Sequence, residues 1–79
     1  MTERFEIVEK AIITMLEGKQ YAALRQVLLT MNPADIAEVF SELEERQIPL
    51  LFRLLPKETA AEAFAEMEPE AQEVLIRGF

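Results

Sequence analysis

Apolar side chains recur along this chain at intervals of three and four residues, which is the period of one face of an α-helix. The spacing is found in six consecutive segments. Their first apolar positions are Phe5, Tyr21, Ile36, Ile48, Ala60 and Ala71. In every segment the spacing is that of a helix rather than that of a strand. The pattern therefore predicts an all-α chain of about six short helices.

The boundaries of the predicted helices coincide with residues that start or stop helices. Asn32 is a good N-cap, and it precedes Pro33 at the first helical position, where a proline forfeits no hydrogen bond. Gly18 follows the first segment, and Pro56 and Pro69 mark the starts of the fifth and sixth. The connections between segments are only a few residues long, so neighbouring helices must pack directly against each other.

The sequence repeats itself at an interval of 24 residues. Residues 35–43 align with residues 59–67, and the identical pairs are Ala37/Ala61, Glu38/Glu62, Phe40/Phe64 and Glu42/Glu66. The alignment continues downstream, pairing Leu51 with Leu75 and Leu55 with Phe79, and a degenerate upstream copy keeps only apolar positions. Two-helix units of this length stack because none buries its apolar face alone. We expect residues 1–79 to form a single solenoid domain rather than a closed bundle.

Pro49 is the exception to this regularity. The repeat places it one turn inside the fourth helix, where its ring would clash with a backbone carbonyl. We expect that helix to begin late or to be distorted.

Composition and charge exclude several classes of function. The chain has no cysteine and no histidine, so thiolate metal sites and the usual general base are missing, and catalysis is not expected. The net charge of −7 disfavours nucleic-acid binding. No apolar run is long enough to cross a bilayer, and the N-terminus does not resemble a signal peptide, which predicts a cytosolic location.

Two of the predicted helices carry acidic stripes. In the fifth helix, Glu58, Glu62 and Glu66 recur every four residues, and no Lys or Arg lies four residues further on to compensate them. The third helix repeats this arrangement. Its acidic residues are Asp35, Glu38 and Glu42.

The repeat places Glu38 near Glu62 and Glu42 near Glu66, which predicts a ridge of carboxylates on stacked helices. Such a ridge attracts hard divalent cations. Magnesium accepts one or two carboxylates and keeps several of its waters, so the ligands need not all come from this chain. Solvated helix faces that bind nothing would show the same periodicity, and both interpretations remain open at this point.

Residues 28–79 resemble the intracellular N-terminal domain of MgtE magnesium transporters. The most specific pieces are NPADIAE at residues 32–38, where the family commonly has His-Pro-x-Asp-Leu-Ala-Glu, and RLLPK at residues 53–57 followed by AAE at 60–62. The resemblance implies a right-handed helical superhelix on the cytoplasmic side of the cell membrane. It also implies following CBS domains and a dimeric transmembrane pore, so that the full-length protein would be a homodimer.

The resemblance further implies that magnesium is held between acidic residues of this domain and the CBS domains, with high cytosolic magnesium favouring the closed pore. Glu62 matches the position at which a family member supplies a magnesium-binding carboxylate. The stripes add Glu58, Glu66, Glu38 and Asp35 as candidate ligands. The family domain is longer than this chain, so we expect a partial domain that ends at Phe79 and binds magnesium weakly by itself.

A second hypothesis is a protein-interaction scaffold without ion sensing, similar to the helical repeats of the flagellar motor protein FliG. In that case the acidic residues would attract a basic partner protein.

Overall fold

The computed structural model describes residues 2–78, which form helices and turns with no strand among them. The helices are α1 (Thr2–Glu17), α2 (Tyr21–Leu29), α3 (Pro33–Phe40), α4 (Ile48–Arg53), α5 (Lys57–Glu66) and α6 (Pro69–Gly78), with a 3₁₀ turn at Glu45–Gln47. The prediction of an all-α chain with six helices is confirmed for this part of the chain. Phe79, and with it the predicted Leu55/Phe79 pair, lies outside the described residues.

The helices begin at the interval that the sequence repeat predicts. Pro33 and Lys57, the first residues of α3 and α5, lie 24 positions apart, and the same interval separates Tyr21, Glu45 and Pro69. Helix α3 packs against α5 and α4 packs against α6, so the equivalent helices of the last two repeats lie side by side, while α1 packs against α2. The solenoid arrangement and its right-handed superhelical sense stay predictions.

Local capping explains where these helices begin. The Asn32 side-chain oxygen accepts a hydrogen bond of 2.9 Å from the Asp35 backbone N–H, and Pro33 occupies the first turn of α3. Pro56 takes the N-cap position of α5, where no side-chain hydrogen bond is made. Helix α3 therefore has a hydrogen-bonded cap that α5 lacks.

The end of α1 has a backbone turn that the sequence analysis did not predict. The helix stops at Glu17, immediately before Gly18, as predicted. The left-handed backbone conformation, however, belongs to Lys19 (φ 59°), and the following Gln20 N–H donates to the Met15 carbonyl over 2.9 Å. This pattern is that of a helix C-cap, in which one residue with positive φ lets the chain turn away.

Pro49 is accommodated by a late helix start, as expected. A 3₁₀ turn at Glu45–Gln47 precedes α4, which begins at Ile48, so Pro49 lies in the first turn, where a backbone N–H has no helical partner. The turn is stabilised by the buried Gln47, whose side-chain oxygen accepts a hydrogen bond of 3.0 Å from the Glu44 backbone N–H.

The core lies where the stacked helices meet. Its largest fully buried side chains are Phe40, Ile12, Leu24, Leu28, Ile36, Leu51 and Val39. Phe40, Phe52 and Phe64 continue from it as a row of edge-to-face contacts, with ring centroids 6.2 and 6.4 Å apart. Ala63 is the one residue of α5 that is buried in this core. Helix α5 therefore packs on α3 as an outer helix, and its acidic side is exposed.

Candidate functional site

The packing of α5 on α3 produces a groove that is lined by carboxylates. One part of it, about 210 Å³, is lined by Ala34, Ala37, Glu38, Ser41, Glu66 and Glu68. The adjoining part, about 520 Å³, is lined by Asn32, Pro33, Ala34, Glu62 and Glu66. Because both parts share Ala34 and Glu66, they form one continuous surface. We call it the acidic groove, and its carboxylates are those of Glu38, Glu62, Glu66 and Glu68.

The order of the carboxylates along this groove differs from the predicted one by about one helical turn. The repeat pairs Glu38 with Glu62 and Glu42 with Glu66. In the structure, Glu38 shares its part of the groove with Glu66, and Glu62 lies beside Asn32 and Pro33 at the start of α3. Ala34, an exposed residue of α3, lines both parts. Glu38, Glu62 and Glu66 thus lie along one surface, but not in the predicted pairs.

Glu42 lies away from this groove, in a second acidic cluster that α3 forms with α1. Burial raises the pKa of the partly buried Glu9 carboxyl above its ordinary value, and the nearby carboxylates of Glu42, Glu38 and Glu6 raise it further. Glu38 therefore lies between two groups of like charge, one along α5 and one along α1. Folding places these carboxylates together at an electrostatic cost.

Two of the predicted ligands, Asp35 and Glu58, do not line the acidic groove. Both side chains are exposed, and each lies in the first turn of its helix, Asp35 in α3 and Glu58 in α5. Negative charge at a helix N-terminus is favourable because the backbone N–H groups there carry partial positive charge. These two positions therefore have a structural explanation that the mid-helix carboxylates lack.

Sequence reasoning missed two acidic residues that the structure adds. Glu68 lies in the turn between α5 and α6 and lines the groove, although it does not belong to either stripe. Glu9 lies in α1, in the degenerate copy of the repeat, where only apolar positions could be aligned. The sequence contained no signal for either, because both positions depend on how separate elements meet.

The carboxylates of the acidic groove have no basic partner among the described residues. The ion pairs seen in residues 2–78 lie near the 3₁₀ turn instead, where Arg46 pairs with Glu44 at 2.8 Å and Arg77 with Glu45 at 3.8 Å. Carboxylate oxygens of this kind are the ligands that hard divalent cations prefer. The groove does not supply a complete set of metal ligands, because no group of three or more acidic side chains in residues 2–78 converges closely enough to hold a metal ion. The donor type thus fits magnesium, and further ligands would have to come from waters or another domain.

The fold and the groove together define a helical-repeat domain that presents uncompensated carboxylates at its surface. Residues 31–79 match the family model of the MgtE intracellular N domain, and the chain belongs to this family. It is also 34% identical over 67 residues to the magnesium transporter MgtE of Thermus thermophilus. The family model describes an intracellular domain, and the relative is a magnesium transporter.

The match to the Thermus protein covers 81% of this chain but 15% of that transporter, so the chain spans a small fraction of its relative's length. No match is found among solved structures. Within residues 2–78, none of the helices has the length and apolar character needed to cross a bilayer.

Proposed function

We propose that this chain is the cytosolic magnesium-sensing domain of a magnesium transporter, a right-handed superhelix that docks on CBS domains of the same protein through divalent ions. Family membership supports a role in a magnesium transporter. The observation that carries the sensing role is the acidic groove, in which Glu38, Glu62 and Glu66 lie along one surface without a basic partner among the described residues. In full-length form we expect a homodimer attached to the membrane through other domains.

The chemistry of docking follows from the charges. Two acidic surfaces repel each other in the absence of a cation, and a bridging magnesium ion supplies ligand sites that both surfaces can share. An ion that binds the docked state better than the undocked state shifts the population toward docking as its concentration rises. The domain would therefore hold the pore closed at high cytosolic magnesium and release it at low magnesium.

The candidate ligands divide into two groups. Glu62 comes first, since it matches the ligand position of the family resemblance, and Glu66 and Glu38 share its groove. Asp35 and Glu58 are outer candidates, which could contribute by attraction at the helix starts. With two or three carboxylates on this side, the isolated chain should bind magnesium weakly, and calorimetry showing tight stoichiometric binding would contradict the division of ligands between domains.

The decisive experiment uses the full-length transporter carrying Glu62→Gln, with limited proteolysis between this domain and the next as the measure of docking. Removing one bridging carboxylate should raise the magnesium concentration needed for half-maximal protection by about tenfold, equivalent to roughly 1.4 kcal/mol. Glu73→Gln, an exposed acid of α6 outside the groove, makes the same change in charge and should leave the midpoint unchanged.

The same experiment in a chelator separates sensing from scaffolding. If magnesium bridges the surfaces, the wild-type protein and the Glu62→Gln variant should be cleaved equally when the ion is removed. A difference of the same size with and without magnesium would instead support an interaction scaffold in which the acids contact a basic partner directly.

A further inference from the structure

Beyond the acidic groove, the surface opens into a second depression of different character. It has a volume of about 400 Å³ and lies where the end of α3, the 3₁₀ turn and the starts of α4 and α6 meet. Its apolar lining consists of Phe40, Leu43, Ile48, Ala71 and Val74. We call this depression the apolar notch. It adjoins the acidic groove, because Ser41 and Glu68 line both.

The notch has an apolar floor that is already fixed by the core. Phe40, Ile48 and Ala71 are buried, so they cannot move without disturbing the fold, while Leu43 and Val74 form half-buried sides. A rigid floor lowers the entropic cost of binding, because no side chain needs to be ordered to create the cavity. The volume is in the range of pockets that accept a ligand or an anchoring side chain.

The rim of the notch is acidic. The carboxylates of Glu45, Glu68 and Glu70 surround the apolar lining. Arg77 approaches Glu45 at 3.8 Å, with both side chains more than 60% exposed. An ion pair this long and this exposed contributes little. The rim therefore presents a net negative potential around an apolar cavity.

We infer that the apolar notch binds an apolar side chain of a basic amphipathic helix from a partner protein segment. Residues three and four positions away from such an anchor lie on the same side of a helix, so Lys or Arg there would reach the acidic rim. A second copy of this chain is a poorer fit, because two molecules with a net charge of −7 repel each other. The inference does not depend on magnesium, and it would stand if the proposed sensing role failed.

The probe is an 18-residue peptide of Leu and Lys placed at helical spacing, titrated into the 79-residue chain without magnesium. We expect shifts of the amide resonances of Leu43, Ala71 and Val74, and loss of binding when the Lys residues are replaced by Glu or the Leu residues by Ala. Equal binding of the Lys/Ala peptide would overturn the apolar anchor, and equal binding of the Leu/Glu peptide would overturn the acidic rim.

Two pairs of variants locate the site. Val74→Phe fills the notch and should weaken peptide binding by at least about tenfold, whereas Ile76→Phe, on an exposed part of the same helix, should have no effect. Glu70→Lys reverses a rim charge on an exposed residue, so it tests peptide binding at the notch even if Val74→Phe unfolds the chain. Its control is Glu73→Lys. If neither Val74→Phe nor Glu70→Lys weakens binding more than its control, the notch is not the site. Self-association of the chain that Val74→Phe abolishes would assign the notch to a second copy instead.

Discussion

Helices α3 and α5 occupy equivalent places in the repeat and share an acidic pattern, yet they differ in burial. Helix α3 has four fully buried residues, Ile36, Ala37, Val39 and Phe40, while α5 has one, Ala63. The difference arises from position, because α3 packs against α5 and also has Glu9 of α1 close to its Glu38, so it has neighbours on more than one side. A repeat that looks the same in sequence therefore contains one helix that builds the core and one that builds the surface.

The same contrast applies to the carboxylates. Glu42, in the turn after α3, is close enough to Glu9 of α1 to raise the pKa of the Glu9 carboxyl, whereas the repeat-equivalent Glu66 of α5 lines the acidic groove. Two residues at equivalent positions of the repeat thus have different neighbours in the structure. Glu42 adds to the repulsion felt by another carboxylate of the same chain, whereas Glu66 lies in the groove, where an ion or another domain could reach it.

The largest test of this contrast compares the two equivalent phenylalanines. Phe40 is 1% exposed, and Phe64 is only half-buried. Phe40→Ala should lower the free energy of unfolding by about 3 to 5 kcal/mol, because it leaves a cavity in the core. Phe64→Ala should cost about 1 to 2 kcal/mol, because less apolar area is lost from a partly solvated site. Urea denaturation of both variants measures the difference, and equal losses would contradict the assignment of inner and outer helices.

A smaller effect is expected at the helix starts. Asn32→Ala removes the hydrogen bond to the Asp35 N–H and should lower stability by about 1 kcal/mol. Gln20 precedes α2 and makes no side-chain cap, so Gln20→Ala should change stability much less. Thermal unfolding followed by circular dichroism measures both, and a loss at Gln20 as large as that at Asn32 would show that the capping bond does not stabilise α3.

Much of the fold was predictable from sequence because the signals were local. The period of the apolar positions predicted six helices, the 24-residue repeat predicted which helices are equivalent, and Pro49 predicted that α4 begins late or is distorted, of which the late start is found. The positive φ of Lys19 was not predictable, since Gly18 next to it is the residue that ordinarily adopts that conformation. The solenoid arrangement and its handedness stay predictions.

The candidate site was less predictable because it depends on the relative axial position of two packed helices. The stripe of Glu62 and Glu66 and the matching Glu38 could be read from spacing. The offset that places Glu38 beside Glu66 could not be read from spacing, since it depends on how α3 packs against α5. Glu68 was missed because it lies in a turn, outside any helical period.

The smallest expected effect concerns Glu9 and its acidic neighbours Glu42 and Glu38. Burial is the main reason that the pKa of Glu9 is raised, with Glu42 and Glu38 adding to it. A raised pKa means that the folded protein binds the proton more tightly than the unfolded chain. The stabilisation by protonated Glu9 is therefore fully present below the ordinary pKa of 4.5 and is lost as the pH rises through the raised value.

Glu9→Gln should accordingly raise the melting temperature at pH 7, by less than Asn32→Ala lowers it, and the gain should shrink as the pH falls through the raised pKa toward 4.5. The contrast between the helices sharpens this test. In a Glu42→Gln background one neighbouring charge on Glu9 is already gone, so the gain from Glu9→Gln should be smaller, while in a Glu66→Gln background it should be unchanged. Thermal unfolding of the four combinations at about pH 4 and pH 7, on either side of the ordinary carboxyl pKa, measures this coupling. Only a charge close to Glu9 can couple to it strongly. If the gain in melting temperature is reduced equally in both backgrounds, Glu42 and Glu66 act on Glu9 alike and the contrast fails.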